Sequence, residues 1–136
     1  MLASALLPLL ALTMAPATPA SERRVCPLSG IQQLRIYEIF DRNKAAFHAR
    51  FRDDAMRIMK RYGFDIIAMW ETKQSDRTEF VYLLQWPDEA TLKRSWDAFL
   101  ADEEWIRIKK ESAAKFGDVV GDVQARTLRR TDYSPC

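Results

Sequence analysis

The chain is poor in the residues that most often build catalytic or metal sites. Its 136 residues include one histidine, two cysteines and four glycines. A metal site needs several ligands of the right type, and no cluster of histidine and cysteine exists to supply them. The glycines form no phosphate-binding loop, and no serine has the neighbours of a nucleophile elbow. The sequence therefore says more about architecture than about chemistry.

The chain also carries little net charge. The formal net charge is +2, and acidic and basic residues are interleaved along the chain. A nucleic-acid-binding protein carries a basic patch or stripe, which this pattern lacks. Arg126, Arg129 and Arg130 form a small basic group, which suits the solvated end of a strand. Nucleic acid is therefore not an expected partner.

Long hydrophobic runs are also missing. The apolar stretch Leu6–Met14 is too short for a membrane span, which takes about 20 residues, but it suits a secretory signal peptide. We expect residues 1–20 to be a signal peptide cleaved after Ala20, which would export the protein to the periplasm or the medium without a stable membrane anchor. No basic residue lies near Met1, so the leader is atypical or begins upstream. A disordered apolar N-terminus on a cytosolic protein is the alternative.

The remaining chain is predicted to hold a tail, residues 21–33, and one domain, residues 34–135. Runs rich in β-branched and aromatic residues predict four strands. These are Leu34–Phe40, Ile66–Trp70, Phe80–Trp86 and a weaker strand within Val119–Leu128. The polar segment Thr72–Thr78 is predicted to be a hairpin-like loop.

Two helical regions separate these strands. An apolar stripe with spacings of three and four predicts a helix over Lys44–Tyr62, and Gly63 suits its left-handed C-terminal cap. The second region has two pieces. Asp88 and Asp102 are good N-terminal caps for them, and Gly117 ends the second.

The order of these elements is β-α-β-β-α-β, the ferredoxin-like arrangement of the α+β class. It gives a four-stranded antiparallel sheet with the helices on one face. The strand Phe80–Trp86 is apolar on both faces, because Val81 and Leu83 alternate with larger apolar side chains. Such a strand is buried on both sides. We therefore expect a homodimer through the open sheet face; the alternative is a monomer with an exposed apolar face, which is rare.

Two cysteines flank the predicted domain. The first and last strands of this fold are antiparallel neighbours, so the tails that carry Cys26 and Cys136 leave the sheet at the same end. Both tails are long enough to meet, and an exported chain enters an oxidising compartment. An intramolecular Cys26–Cys136 disulfide is expected; free thiols and bridges between subunits are the alternatives.

Four short motifs resemble those of one known family. Leu34–Tyr37 resembles the LRxY opening of the NIPSNAP family, and Ala68–Trp70 matches the position of its GxW-like second strand. Asp102–Trp105 is similar to its DPEW helix start, with Glu103 in place of proline. Leu128–Pro135 resembles its LRPTPFSP ending.

The resemblance covers nearly all of the predicted domain and implies a dimeric α/β barrel. It implies no particular reaction. The family often carries a histidine near the middle of the first helix, where this chain has Asp54. A role that depends on that histidine is therefore not carried over.

Several side chains could line a ligand pocket between the helices and the sheet. The candidates are Arg35, Tyr37, His48, Trp70 and Tyr82. Aromatic rings would supply apolar walls, while hydroxyl and guanidinium groups would orient a small apolar or aromatic ligand. The alternative is that the aromatic residues belong to the core and the dimer interface. Arg35 could also pair with Glu38 or Glu71 as structural support.

His48 is the only histidine and falls at the edge of the apolar stripe of the first helix. Related dimeric barrels hold haem or aromatic substrates between helix and sheet, so His48 could bind haem. A partly exposed structural role is the alternative. No other cofactor is predicted.

Three classes of function remain open. The protein could be an exported, dimeric small-molecule binding or accessory protein, an oxygenase-like or haem-binding enzyme, or a structural or partner-binding module. The first two need a pocket between helices and sheet. A packed core without a cavity would exclude both.

Overall fold

The computed structural model describes residues 30–135. The strands are β1 (Ile31–Ile39), β2 (Asp65–Gln74), β3 (Arg77–Trp86) and β4 (Val120–Leu128). The helices are α1 (Lys44–Arg50), a π-helical turn (Phe51–Ala55), α2 (Met56–Arg61), α3 (Glu89–Ala101) and α4 (Glu103–Phe116). The π-helical turn joins α1 and α2 into one helix. This order confirms the predicted ferredoxin-like α+β class.

The four strands form one antiparallel sheet in the order β2-β3-β1-β4. The two central strands, β1 and β3, pair so that Arg35 lies opposite Tyr82 and Tyr37 opposite Phe80. Side chains directly opposite one another share a face of the sheet. Burial alternates strictly along β3, and the set that contains Phe80 and Tyr82 is the buried one. This set meets the helices, and the intervening set meets the open side.

Aromatic rings fill the space between the sheet and the helices. Phe51 lies between Phe80 and Tyr82, with ring centroids 4.7 and 5.2 Å away. At the other end of the sheet, Phe64 contacts Trp86 and Trp96 at 4.9 and 4.8 Å. Burial of one large apolar side chain contributes about 1.5–3 kcal/mol, so this layer supplies much of the driving force for folding.

The helix boundaries follow the predicted caps. The Asp88 carboxylate accepts the Thr91 N–H at 2.7 Å, and the Asp102 carboxylate accepts the Trp105 N–H at 2.8 Å. Each bond satisfies one of the N–H groups that a helix start leaves without a partner. Gly63 and Gly117 have φ angles of 76° and 73°, which favour glycine and end the helical segments.

The sequence predicts one regular helix over Lys44–Tyr62, but the structure interrupts it with the π-helical turn Phe51–Ala55. The Met56 N–H bonds to the carbonyl of Phe51, five residues back. One row of buried apolar residues in this helix has a constant spacing of four: Phe47, Phe51, Ala55 and Met59. Four residues of an α-helix pass a full turn by about 40°, so a regular helix would turn this stripe away from the core. The wider π-helical turn offsets that drift.

Strand β1 begins three residues before the predicted start at Leu34. The additional residues include Gln32 and Gln33, which the sequence analysis placed in the tail, residues 21–33. Both are nevertheless buried. The Gln33 side-chain oxygen accepts the Trp96 indole N–H at 2.7 Å, and Gln32 donates to the Gln85 side chain at 2.5 Å. Each glutamine thus has the partner that a buried polar group needs.

The hairpin between β2 and β3 is tighter than the predicted loop Thr72–Thr78. Strand β2 continues to Gln74 and β3 starts at Arg77, which leaves a two-residue turn in which Ser75 has a φ of 54°. The polar composition of Thr72–Thr78 predicted a loop, but most of these residues belong to the two strands. The end of this hairpin is exposed on the β2 side, so its strand residues have no need to be apolar.

The open face of the sheet carries a continuous apolar surface. We define this surface by the residues Leu34, Ile36, Ala68, Trp70, Val81 and Leu83. Leu34 pairs with Leu83 and Ile36 with Val81, so they project to one side. Trp70, opposite Val81 on β2, is 50% exposed. Within residues 30–135, no helix is long and apolar enough to cross a bilayer.

Gln33→Met tests the buried bond that supports β1. The substitution keeps the side chain's length but replaces the strong acceptor of the Trp96 N–H. We expect it to lower the free energy of unfolding by about 1–3 kcal/mol, the cost of an unsatisfied buried donor. Urea unfolding measures this effect. Gln74→Met, at the exposed hairpin end of β2, is the control and should change stability little. Equal effects of the two substitutions would contradict the assignment.

Candidate ligand-binding site

A cavity of about 230 Å³ lies between the helices and the sheet. Its apolar walls come from the first helix, from α3 and α4, and from β4. They include Phe47, Phe51, Ala55, Met59, Trp96, Phe99, Leu100, Trp105, Val120 and Val123. Ligand sites in proteins are mostly apolar clefts with a few polar groups, and this cavity has that composition.

The charged side chains that line the cavity are all cationic. They are Arg35 from β1, Arg50 from the end of α1 and Lys109 from α4. Among the described residues, none of the three forms a salt bridge, and the lining contains no carboxylate. The cavity therefore combines aromatic walls with uncompensated positive charge.

Arg35 lies at the sheet side of the cavity, flanked by two aromatic rings. Its guanidinium carbon is 4.2 Å from the centroid of Trp96 and 5.4 Å from that of Tyr37. One terminal nitrogen donates to the Tyr37 hydroxyl at 3.3 Å, and the Nε atom is buried without a partner in the described chain. Cation–π contacts of this kind stabilise a guanidinium that has lost part of its hydration.

The predicted pairing of Arg35 with Glu38 or Glu71 is wrong. Glu38 lies three residues after Arg35, so its side chain points to the opposite, open face of the sheet. There its carboxylate accepts the Asp122 N–H at 3.1 Å. Glu71 binds Lys44 at 2.6 Å instead. Sequence alternation cannot show which carboxylate reaches an arginine, because that depends on strand register.

Tyr37 and Tyr82 form a hydroxyl pair beside Arg35. Their oxygen atoms are 2.7 Å apart, and Tyr82 is fully buried. Burial raises the pKa of Tyr82 well above its usual value, and nearby Tyr37 adds to this, so Tyr82 carries its proton at neutral pH. Within residues 30–135, Tyr37 is the hydrogen-bond partner of this hydroxyl. Either hydroxyl could donate, but donation by Tyr82 satisfies its buried proton, whereas donation by Tyr37 would leave that proton without an acceptor. We therefore infer that Tyr82 is the donor.

Arg50 and Lys109 flank Trp105 at another wall of the cavity. The Arg50 guanidinium carbon and the Lys109 ammonium lie 5.5 and 5.7 Å from the Trp105 ring centroid. Burial lowers the pKa of Arg50, with Tyr37 and Asp54 opposing that shift. An arginine remains charged in proteins, so its positive charge persists despite the burial.

The structure brings together only part of the predicted set of pocket residues. Arg35 and Tyr37 line the cavity. Tyr82 does not line it, but its hydroxyl forms a hydrogen bond with that of Tyr37. Trp70 lies on the open face, away from the cavity. His48 lies outside the cavity, in an open groove of about 330 Å³ that is also lined by Phe51, Arg52, Met56, Met69 and Phe80. Its Nε2 atom is 2.9 Å from the Glu71 carboxylate.

Sequence reasoning missed Arg50 and Lys109. Both are cations on amphipathic helices, where an exposed position is the usual expectation. The available signal was their spacing: Arg50 precedes Phe51 of the apolar stripe, and Lys109 lies four residues after Trp105. Residues four apart on a helix are neighbours, so Lys109 shares a side with that tryptophan.

The described residues hold no group of three or more histidine, cysteine, aspartate or glutamate side chains arranged to bind a metal ion. The predicted signal peptide, Cys26 and Cys136 lie outside the described residues.

The four-stranded antiparallel sheet with helices on one of its faces defines a ferredoxin-like α+β domain. Residues 32–135 match the NIPSNAP family. This match covers more than half of the chain, so the protein belongs to the NIPSNAP family. Its sequence matches no curated protein.

Solved structures share this fold at low sequence identity. An uncharacterised NIPSNAP-like domain protein from Burkholderia xenovorans is 20% identical, with a TM-score of 0.65 over 79% of this chain and 90% of that one. A NIPSNAP family protein of unknown function from Agrobacterium tumefaciens is 14% identical, with a TM-score of 0.66 over 81% and 96%. A Streptomyces coelicolor monooxygenase in complex with nanaomycin D is also 14% identical, with a TM-score of 0.50 over 82% and 96%.

The direction of the tyrosine hydrogen bond predicts an asymmetry between two similar substitutions. Tyr37→Phe leaves the buried Tyr82 hydroxyl without an acceptor and should cost about 1–3 kcal/mol of stability. Tyr82→Phe removes a donor whose partner still accepts from Arg35, so it should cost about 0.5–1.5 kcal/mol. Urea unfolding of both variants measures the difference. A larger loss for Tyr82→Phe would mean that Tyr37 is the donor.

Proposed function

We propose that this NIPSNAP family protein binds a small apolar or aromatic molecule in the cavity between its helices and its sheet. The observation that carries the proposal is the cavity itself, with walls of aromatic rings and cations at its edges. The volume suits a ligand of one or two rings.

A binding role is better supported than catalysis. The cavity lining includes no carboxylate or imidazole that could act as a general base. The monooxygenase from Streptomyces coelicolor shares the fold at 14% identity, a level that supports likeness of fold and no transfer of its chemistry. An oxygenase-like activity thus has less support than ligand binding.

Haem binding at His48 has less support than a small ligand in the cavity. The imidazole lies in a groove outside the cavity, and its Nε2 atom contacts the Glu71 carboxylate at 2.9 Å, a contact that an iron bound to Nε2 would have to replace. Addition of haemin, with the Soret band as readout and His48→Ala as control, tests haem binding directly.

Val123→Phe tests whether the cavity is the binding site. Val123 lines it from the edge strand β4 and is 44% exposed, so a larger side chain there can close the mouth without crowding the core. We expect at least about a tenfold loss of affinity for naphthalene derivatives in ligand-observed NMR. Ile106→Phe, at an exposed position of α4 outside the cavity, is the matched control. Unchanged binding by Val123→Phe would overturn the assignment of the site.

We also propose that the protein works as a homodimer joined through the open face. Its centre is apolar, and its edge near the β2–β3 hairpin carries both signs of charge. Arg77 reaches Asp122 at 3.0 Å and Glu38 at 3.8 Å. A twofold interface needs a patch that is complementary to itself, and an apolar centre with a rim of mixed charge meets that need.

Val81→Lys should break this dimer. Val81 lies between Ile36 and Trp70 at the middle of the apolar surface, so the substitution would bury an unpaired charge in each subunit. We expect about a hundredfold weaker association, measured by sedimentation velocity over a range of concentrations. Ile106→Lys should leave association unchanged. A wild-type chain that sediments as a monomer at high concentration would refute the proposal.

We also propose that the protein is exported and that Cys26 and Cys136 form a disulfide. Both proposals concern residues outside 30–135. The antiparallel pairing of β1 with β4 supports the pairing of the cysteines, since Gln32 lies opposite Leu128 and both tails leave from that end of the sheet. Mass spectrometry of a non-reduced digest of secreted protein identifies the mature N-terminus and the linkage together.

A further inference from the structure

The polar side chains of the cavity offer hydrogen-bond donors and hardly any acceptors. Arginine and lysine side chains donate only. The other polar groups of the lining are the Tyr37 hydroxyl and the indole N–H groups of Trp96 and Trp105. The Trp96 N–H is already bound to Gln33. A ligand that enters this cavity therefore meets donors, and its own polar atoms must be acceptors.

The tyrosine pair strengthens this bias. The Tyr37 oxygen accepts from Arg35 at 3.3 Å. In the direction inferred above, it also accepts from the Tyr82 hydroxyl at 2.7 Å. Both acceptor positions of the Tyr37 oxygen are then filled. Its own proton has no acceptor in the described chain and is available to the cavity that Tyr37 lines. Tyr82, although it does not line the cavity, thus makes Tyr37 a donor toward a ligand.

The charge of the cavity favours the same kind of ligand. Arg35 is partly buried, has no carboxylate partner among residues 30–135, and has an inaccessible Nε atom that lacks a hydrogen bond. Arg50 and Lys109 add two further cations to the lining. A cation that has lost hydration without gaining a counter-ion raises the free energy of the empty site. An anion bound there would lower it.

The walls restrict the shape of the apolar part. Phe47, Phe51, Trp96, Phe99 and Trp105 surround a space of about 230 Å³. Flat rings pack well in edge-to-face and offset contacts with such walls. A planar aromatic body of one or two rings fits these dimensions, whereas a long acyl chain would project out of the cavity.

We propose that the ligand of this site is a small aromatic carboxylic acid, bound as its carboxylate with one oxygen toward Arg35 and the other toward the Tyr37 hydroxyl. This inference rests on the proposed binding function and names its ligand class. Charge-assisted hydrogen bonds to a carboxylate are about twice as strong as neutral ones, so Arg35 and Tyr37 supply specificity. Arg50 and Lys109, beside Trp105, attract the anion to the cavity.

Comparison of 2-naphthoate with 2-naphthamide tests the charge requirement. The two probes share size and ring, but the amide is neutral and presents an N–H₂ donor to a site that lacks free acceptors. We expect the carboxylate to bind at least about tenfold more tightly in titration calorimetry. Equal affinities would overturn the inference and leave the proposed binding function standing. Absence of binding by both probes and by neutral naphthalene derivatives would overturn the binding function as well.

Arg35→Gln tests the residue that carries the inference. The variant should lose most of the preference, with 2-naphthoate weakened about tenfold and 2-naphthamide changed less than about twofold. Arg107→Gln, an exposed position on α4 outside the cavity, is the matched control. Loss of affinity for both probes alike would contradict a specific contact between Arg35 and the carboxylate.

Lys109→Gln is a second variant, at a residue of helix α4 rather than of the sheet. It removes a cation from the helical wall, so folding should be preserved even where Arg35→Gln unfolds. We expect a two- to fivefold weaker binding of 2-naphthoate at low salt, an effect that 0.5 M salt removes because a partly exposed charge is screened. Unchanged affinity at low salt would contradict the role assigned to this cation.

Discussion

The central strand β3 divides its side chains between two apolar environments, and the rest of the structure depends on this division. Phe80, Tyr82, Leu84 and Trp86 form the floor on which the helices pack, and all of them are buried. Val81 and Leu83 point to the opposite face, where no element among residues 30–135 covers them. One strand thus supports the helices on one face of the sheet and carries on the other face the apolar surface that we propose for a second subunit.

The pairing of β3 with β1 extends this division to the polar groups. Arg35 lies opposite Tyr82, so its guanidinium enters the layer between sheet and helices rather than the open side. Glu38 falls on the other face, and Arg35 consequently has aromatic rings and hydroxyl groups around it in place of a carboxylate. The same register that completes the core leaves a cation without a counter-ion. This is the physical origin of the proposed preference for an anion.

Much of this fold was predictable from the sequence, because strand alternation, the Asp88 and Asp102 caps and the position of Gly63 are local signals. The site was less predictable. Arg35 and Tyr37 were identified as candidates, but Trp70 lies on the opposite face and His48 outside the cavity, since both placements depend on register and helix rotation. The π-helical turn and the burial of Gln33 arise from tertiary contacts, which no short window of sequence reveals.

A crystal structure of the protein with 2-naphthoate tests the central claim most directly, because it shows both faces of β3 at once. The account predicts the carboxylate against Arg35 and Tyr37, the rings among Trp96, Phe99 and Trp105, and a twofold-related copy over Trp70 and Val81. A ligand whose carboxylate points to solvent, away from Arg35, or an open face that contacts only solvent, would contradict it.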